Sequence, residues 1–263
     1  MCKADGRLSN RTDPRQSTRA HYRIIELLGP PGAGKTALLG AMLERDETIQ
    51  GEIFPYFRHP RHIPFFVGSF LRLSSSLPSL FRVPVHAGLT RRDLALMTIL
   101  WGWPARLKRR RRYPCTTVLL EEGGLCLLAK LRAFGSAAIN GPEAQVWWAR
   151  MCDQWAGTLD VVIRLDAPAA TLVRRVRSRR LVHEIDALSN DQAAQYLERI
   201  RNAQTTVLSR IMRQARHPSL LEFNTTIASA AEISENVLAR LAVRQDIHGA
   251  DELPLLPAPP FTH

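Results

Sequence analysis

An α/β fold built on a doubly wound parallel sheet is predicted by three features of this sequence: four short apolar runs, an amphipathic helical pattern after each, and a glycine-rich turn after the first. The runs are Arg23–Leu28, Thr116–Leu120, Val161–Leu165 and Leu220–Phe223. Their length and near-continuous apolar character suit parallel strands buried on both faces. Right-handed crossovers then return the chain to one sheet through a helix each time. With 45% hydrophobic residues in a chain of 263, there is enough apolar side chain for one principal core.

After the first run, Lys35 to Arg45 carries Leu38, Leu39, Met42 and Leu43 on one helical face, and Leu125, Leu128, Leu131 and Phe134 repeat that spacing after the second. The third leads into Leu172, Val173 and Val176, and the fourth into Ile233, Val237, Leu238 and Leu241. Ser229 and Glu232 stand at capping-box spacing before that last helix. The stretch from about Gly51 to Tyr113 (51–113) breaks the rhythm, because Pro55, Pro60, Pro64, Pro78, Pro84 and Pro104 interrupt it, and it reads as a proline-rich insertion over the sheet. Its helix is expected from Thr90 to about Leu107, with Asp93 in the first turn and Leu94, Met97 and Trp101 on one face. Residues 1–20 lack periodicity and read as a flexible arm, and 245–263, with Pro254, Pro257, Pro259 and Pro260, as a flexible Pro-rich tail. The folded domain is expected between them, at 21–244.

The formal charge of +12 comes mainly from arginine, whose planar fork suits phosphate oxygens, so acidic ligands are expected. The run RLKRRRR, Arg106 to Arg112, reads as a surface loop before a strand; the other reading is a polyanion contact, nucleic acid included. Cys2, Cys115, Cys126 and Cys152 lack the paired spacing of a zinc site, and no secretory leader is evident, so reduced packing cysteines in a cytoplasmic protein are expected. No window approaches the roughly 20 uncharged apolar residues of a membrane span. Neither G-x-S-x-G nor H-E-x-x-H occurs, which leaves serine-nucleophile and metallohydrolase chemistry without its motifs.

The turn after the first run is Gly29-Pro30-Pro31-Gly32-Ala33-Gly34-Lys35-Thr36, followed by Ala37. It fits G-x-x-x-x-G-K-[ST], a spacing that points successive backbone N–H groups into one concavity at a helix N-terminus. Lys35 then reaches the β and γ phosphates and Thr36 places its hydroxyl on Mg²⁺, so Mg·ATP is the expected ligand. Such a metal needs an acidic residue from the end of a neighbouring strand, and Thr116-Thr117-Val118-Leu119-Leu120-Glu121-Glu122-Gly123 supplies two. Glu121 is assigned to the metal through water and Glu122 to acceptor orientation or proton acceptance, with the two roles open to exchange; Gly123-Gly124 releases the chain. Beyond Leu165-Asp166-Ala167-Pro168, Arg174, Arg175, Arg177, Arg179 and Arg180 crowd one helix, and spacing lets at least one pair face the phosphates, as a lid over 168–200 would.

GPPGAGKT after a strand, a VLLEEG strand end, a D-x-P turn before an Arg-rich helix and LLEFNTT before an amphipathic helix together resemble the P-loop kinases related to thymidylate and other nucleoside or nucleotide kinases. That resemblance implies a three-layer P-loop NTPase fold whose five parallel strands run in the order 2-3-1-4-5. It also implies ATP as donor, Mg²⁺, and a lid in which Arg174 or Arg179 lies near the phosphates. An adenine loop would bring Asn224 and Thr225 near the base. The sequence departs from thymidylate kinases at Glu-Glu-Gly, where they place Asp-Arg and an aromatic, and the usual second strand is hard to find. The acceptor is therefore open, with Arg58, His59, Arg61, His62, Arg91 and Arg92 as candidate groups. A kinase for a nucleoside-like or nucleotide-like small molecule is the leading expectation. A polynucleotide or other macromolecular acceptor and a regulatory ATPase are the alternatives, and a homodimer is left open.

Overall fold

A computed structural model of the protein describes residues 22–52, 62–80, 88–110, 117–179 and 184–250. In chain order these form β1 (Arg23–Leu28), α1 (Lys35–Arg45), β2 (Ile49–Glu52), α2 (Ile63–Leu80), α3 (Arg91–Arg110), β3 (Thr117–Leu120) and α4 (Gly124–Phe134). There follow α5 (Ala137–Asn140), α6 (Gln145–Ala156), β4 (Val161–Asp166), α7 (Ala169–Arg177), α8 (Asn190–Met212), β5 (Ser219–Asn224) and α9 (Ala230–Ala250). The strands make one sheet in the order β2-β3-β1-β4-β5, parallel throughout. Every strand therefore ends at the same edge, where the phosphate-loop motif also lies.

Alternation along β1 sorts the core into two layers. Ile24 and Leu28 face a cluster with Trp103, Leu125, Leu128, Trp148 and Trp155 from α3, α4 and α6. Ile25 and Leu27 face Leu38 and Met42 of α1, Leu172 and Val176 of α7, and Ile233 and Val237 of α9. The four strands read from the sequence are present with small shifts at their ends. Ser229 and Glu232 form the expected capping box: the Glu232 carboxylate accepts from the Ser229 amide at 2.8 Å, and the Ser229 hydroxyl from the Glu232 amide at 3.3 Å. Cys126 and Cys152 are buried free thiols, as expected, while Cys2 and Cys115 lie outside the described residues. Residues 1–20, and the tail beyond 250, lie outside them too, whereas 245–250 complete α9. Among the described residues no helix is long and apolar enough to cross a membrane.

Three expectations are corrected. The missing second strand is Ile49–Glu52, just ahead of the proline-rich stretch and overlapping its start; only Ile49 is buried, so an edge strand with one inward apolar residue has no alternation to detect. The insertion carries two long helices, α2 and α3. Pro64 sits in the first turn of α2, where its missing N–H costs nothing, and Pro104 lies inside α3. There the orphaned carbonyl of Leu100 accepts instead from the Trp155 indole at 3.2 Å, which supplies the donor that proline lacks. The basic run is no loop as far as Arg110, because the buried side of α3 continues through Leu107. Arg106 there packs over the Phe65 ring and pairs with Glu52 at 3.5 Å; Arg111 and Arg112 lie outside the described residues.

Candidate functional site

The loop between β1 and α1 turns back on itself at Gly32 (φ 83°) and Gly34 (φ 92°), both in the left-handed region that a side chain disfavours. At Gly32 space is also short: a Cβ would lie 2.8 Å from the Leu172 carbonyl oxygen, so a side chain would push α7 off the loop. Lys35 folds over the turn, its Nζ donating to the Gly29 carbonyl at 2.8 Å and the Pro30 carbonyl at 3.2 Å. Desolvation lowers its ammonium pKa, and the nearby Glu122 and Glu121 oppose that shift. Thr36 and Ala37, in the first turn of α1, are exposed at the mouth of the loop. Helix geometry leaves the first amides of that turn without intrahelical acceptors, so they are available to an anion.

The two strand-end carboxylates separate in space. Glu121 Oε1 accepts a hydrogen bond from the Thr36 hydroxyl, joining β3 to the phosphate loop. Glu122 turns to Lys130 of α4, whose Nζ lies 3.2 Å from both of its oxygens. Gly123 and Gly124 serve a different purpose from the expected release of the chain. Gly123 has an ordinary extended conformation, with φ −90° and ψ −160°. What both glycines provide is room: a Cβ on Gly123 would lie 2.4 Å from Glu26 Cδ, and one on Gly124 would lie 2.1 Å from the Trp155 ring.

Glu26 escaped the sequence reading because it sits inside an apolar strand. It is fully buried and accepts from the amides of Leu125 at 3.1 Å and Cys126 at 2.9 Å, in the first turn of α4. Burial pushes its carboxyl up to about 7, against the opposing pull of those amides. Because the native state then holds this proton more tightly than an unfolded chain with a value of 4.5, its contribution is complete below that pH and is lost as pH rises to about 7. The loss is about 3 kcal/mol at roughly 1.4 kcal/mol per unit. Urea midpoints measured at about pH 5 and about pH 7.5 should therefore differ less in Glu26→Gln than in the wild type; an identical difference removes Glu26 as the source.

On the other flank the arginines are redistributed. Arg174 and Arg179 are exposed, and it is Arg175 that touches the loop. Its Nη1 donates to Thr225 Oγ1 at 2.8 Å and toward the Gly32 carbonyl at 3.4 Å, and Nη2 to the Thr225 carbonyl at 2.8 Å. The helical stripe alone could not separate it from Arg174, one residue away. Arg177 instead ties α7 to the start of α8, through the Asn190 side chain and the Leu188 carbonyl. Thr225 is anchored to β4 by its amide, 2.9 Å from the Asp166 carbonyl, and Asn224 accepts from Thr226. Ile227, two residues on, is 83% exposed and had no signal in the sequence.

Toward β2 the sequence candidates disperse: Arg58, His59 and Arg61 lie outside the described residues, His62 precedes α2, and Arg91 and Arg92 are exposed in the first turn of α3. A groove of about 440 Å³ between α2 and α3 is lined instead by Phe65, Ser69, Arg72, Arg106 and Arg109. At its sheet side Glu52, its side chain only 4% exposed, pairs with Arg106. Glu52 is in register with Leu120, the residue before Glu121.

No protein-family model matches the sequence, and no curated protein does. Among solved structures, a thymidylate kinase from Candida albicans is similar with a TM-score of 0.53 at 10% identity, over 86% of this chain and 93% of that one. A deoxyadenosine kinase from M. mycoides with bound dATP gives a TM-score of 0.48 at 12% identity, over 83% and 99%. Its dCTP complex gives 0.49 at 12% identity, over 84% and 99%. At such identities the architecture alone is shared. Strand order, parallel pairing and flanking helices agree with what the sequence resemblance implied, and the chain has the P-loop kinase fold.

Proposed function

We propose that this chain is a P-loop kinase that transfers the γ-phosphoryl group of Mg·ATP to a small-molecule acceptor, nucleoside-like or nucleotide-like acceptors being favoured. The observation that carries the reading is the contact of Thr36 with Glu121 beside Lys35. A hydroxyl and a carboxylate meeting at a phosphate loop form the oxygen donor set that suits a hard cation bridging phosphates. Among the described residues no three His, Cys, Asp or Glu side chains gather as a metal cage, so Mg²⁺ would depend on Thr36, Glu121, water and the nucleotide itself. Bound there, it would neutralise charge on the β and γ phosphates.

The remaining work falls to this chain's own groups. The turn with its left-handed glycines and the first amides of α1 would cradle phosphate oxygens, and Lys35 would leave the loop carbonyls for them. Transfer breaks the bond between the γ-phosphorus and its bridging oxygen and forms one to an acceptor oxygen, whose proton must leave. Glu122, held by Lys130, is assigned to orienting that acceptor or receiving the proton. Arg175 supports the loop from Thr225, while Arg174 and Arg179 remain candidates for phosphate contact on closure of a lid. The exposed Ile227 beside Asn224 and Thr225 offers an apolar surface for the base. The fold shared with a thymidylate kinase supports the kinase class, and the arginines of the α2–α3 groove favour an acceptor that carries negative charge.

The test is incubation of the protein with Mg·ATP, with and without a pool of nucleosides, nucleotides and small metabolites, following ADP and products by mass spectrometry. ADP formation that depends on the pool, with a new phosphorylated metabolite, is expected. ADP release that ignores the pool would move the reading to a regulatory ATPase. Steeply salt-dependent binding of a polynucleotide that becomes phosphorylated would move it to a macromolecular acceptor.

A further inference from the structure

A buried carboxylate needs partners, and Glu26 has unusual ones. It lies on the same face of β1 as Ile24 and Leu28, among apolar side chains, and is 0% exposed. Desolvating an ionised carboxyl is costly unless hydrogen bonds replace the lost water. Here the replacement is the N-terminal turn of α4, with the Cys126 amide on Oε1 at 2.9 Å and the Leu125 amide on Oε2 at 3.1 Å. Gly123, the residue before that helix, rests directly on the same carboxyl, with no room for a methyl group. The short turn Glu121–Glu122–Gly123 is therefore fixed from beneath by one side chain, while above it Glu121 meets Thr36 and Glu122 meets Lys130.

From this placement we infer that Glu26 is a positioning residue: its carboxylate seats the first turn of α4 so that Glu121 stands at the correct distance from Thr36 and the phosphate loop. The inference rests on the kinase reading above. Both oxygens of Glu26 accept from first-turn amides of α4 and its carboxyl lies against Gly123, so its action passes through the Gly123 backbone to Glu121. The Glu26→Gln substitution is nearly isosteric but offers one acceptor oxygen and an NH₂ group to two N–H donors, so the turn must shift or lose a hydrogen bond. Charges near this point are Lys35, Glu121, Glu122 and Lys130, with the Cys126 thiol beside them.

The test measures Glu26→Gln by steady-state transfer and by binding of a fluorescent ATP analogue with and without Mg²⁺. If Glu26 positions the turn, kcat falls about 10-fold or more with little change in KM for ATP. The Mg²⁺ concentration at half-maximal binding rises, while binding without Mg²⁺ stays as in the wild type. Should Glu26→Gln fail to fold, Gly123→Ala displaces the same turn with Glu26 intact and should give the same split. A wild type that responds to Mg²⁺, beside folded variants with unaltered kcat and unaltered Mg²⁺ response, overturns the assignment alone. A wild type that binds no Mg·ATP overturns the kinase reading and this assignment with it.

Discussion

Replacing Lys35 by alanine is expected to lower phosphoryl transfer at least about 10²-fold while the thermal midpoint stays within a few degrees of the wild type. The side chain is held over the loop by the Gly29 and Pro30 carbonyls, at 2.8 and 3.2 Å. In that position it partners two carbonyls of the turn, and the kinase reading has it leave them for the phosphates. Desolvation disfavours its ammonium, so a phosphate arriving as a counter-charge restores what burial takes away, and the gain appears only with nucleotide bound. That stabilisation belongs to the nucleotide complex and not to the empty fold, so the loss of Lys35 should appear in phosphoryl transfer more than in folding. Product formation and thermal melting on the same preparation check both halves; transfer at the wild-type rate in a folded Lys35→Ala chain would refute the kinase reading at its centre.

What the sequence displayed of this site was its backbone logic. A turn with glycines two residues apart, a lysine and a threonine at a helix start, and a strand ending in two carboxylates can be read from spacing because the chain places them locally. Gly32, Gly34, Lys35, Thr36 and Glu121 are accordingly where spacing put them, at one end of a parallel sheet. What stayed hidden depends on which way side chains turn and on what packs behind them. Glu26, a single acidic residue inside an apolar strand, drew no reading from the sequence, and only the docked first turn of α4 shows what it binds. Arg175 was one of five arginines between 174 and 180, of which only Arg174, Arg175 and Arg177 lie on α7, and its selection over Arg174 comes from the contact of α7 with the loop around Thr225. Of the groove arginines, Arg106 and Arg109 share α3 while Arg72 lies far off in the chain on α2, and it joins them only because the two helices pack together, with Gly102 lying hard against Ser69. Prolines misled for a related reason: whether Pro104 breaks a helix depends on a donor from elsewhere, and Trp155 is that donor.

Glu121 and Glu122, indistinguishable in sequence, should separate cleanly in kinetics. Glu121→Ala is expected to cut turnover about 10²-fold or more and to raise the Mg²⁺ requirement, since Glu121 alone of the two meets Thr36. Glu122→Ala should cost about 10-fold, mainly through the acceptor, because it leaves Lys130 without its partner and does not reach the threonine hydroxyl. The sharper measurement is a double-mutant cycle. If Thr36 and Glu121 hold one metal, Thr36→Ala and Glu121→Ala each forfeit much of the same stabilisation, and the pair together should cost far less than the product of the two single effects. Independent sites would give a product. Glu122→Ala combined with Thr36→Ala serves as the internal reference, being expected to multiply, because Glu122 pairs with Lys130 of α4 and not with Thr36. Equal non-additivity in both cycles would merge the two carboxylates into a single functional unit and undo the division of labour assigned to them.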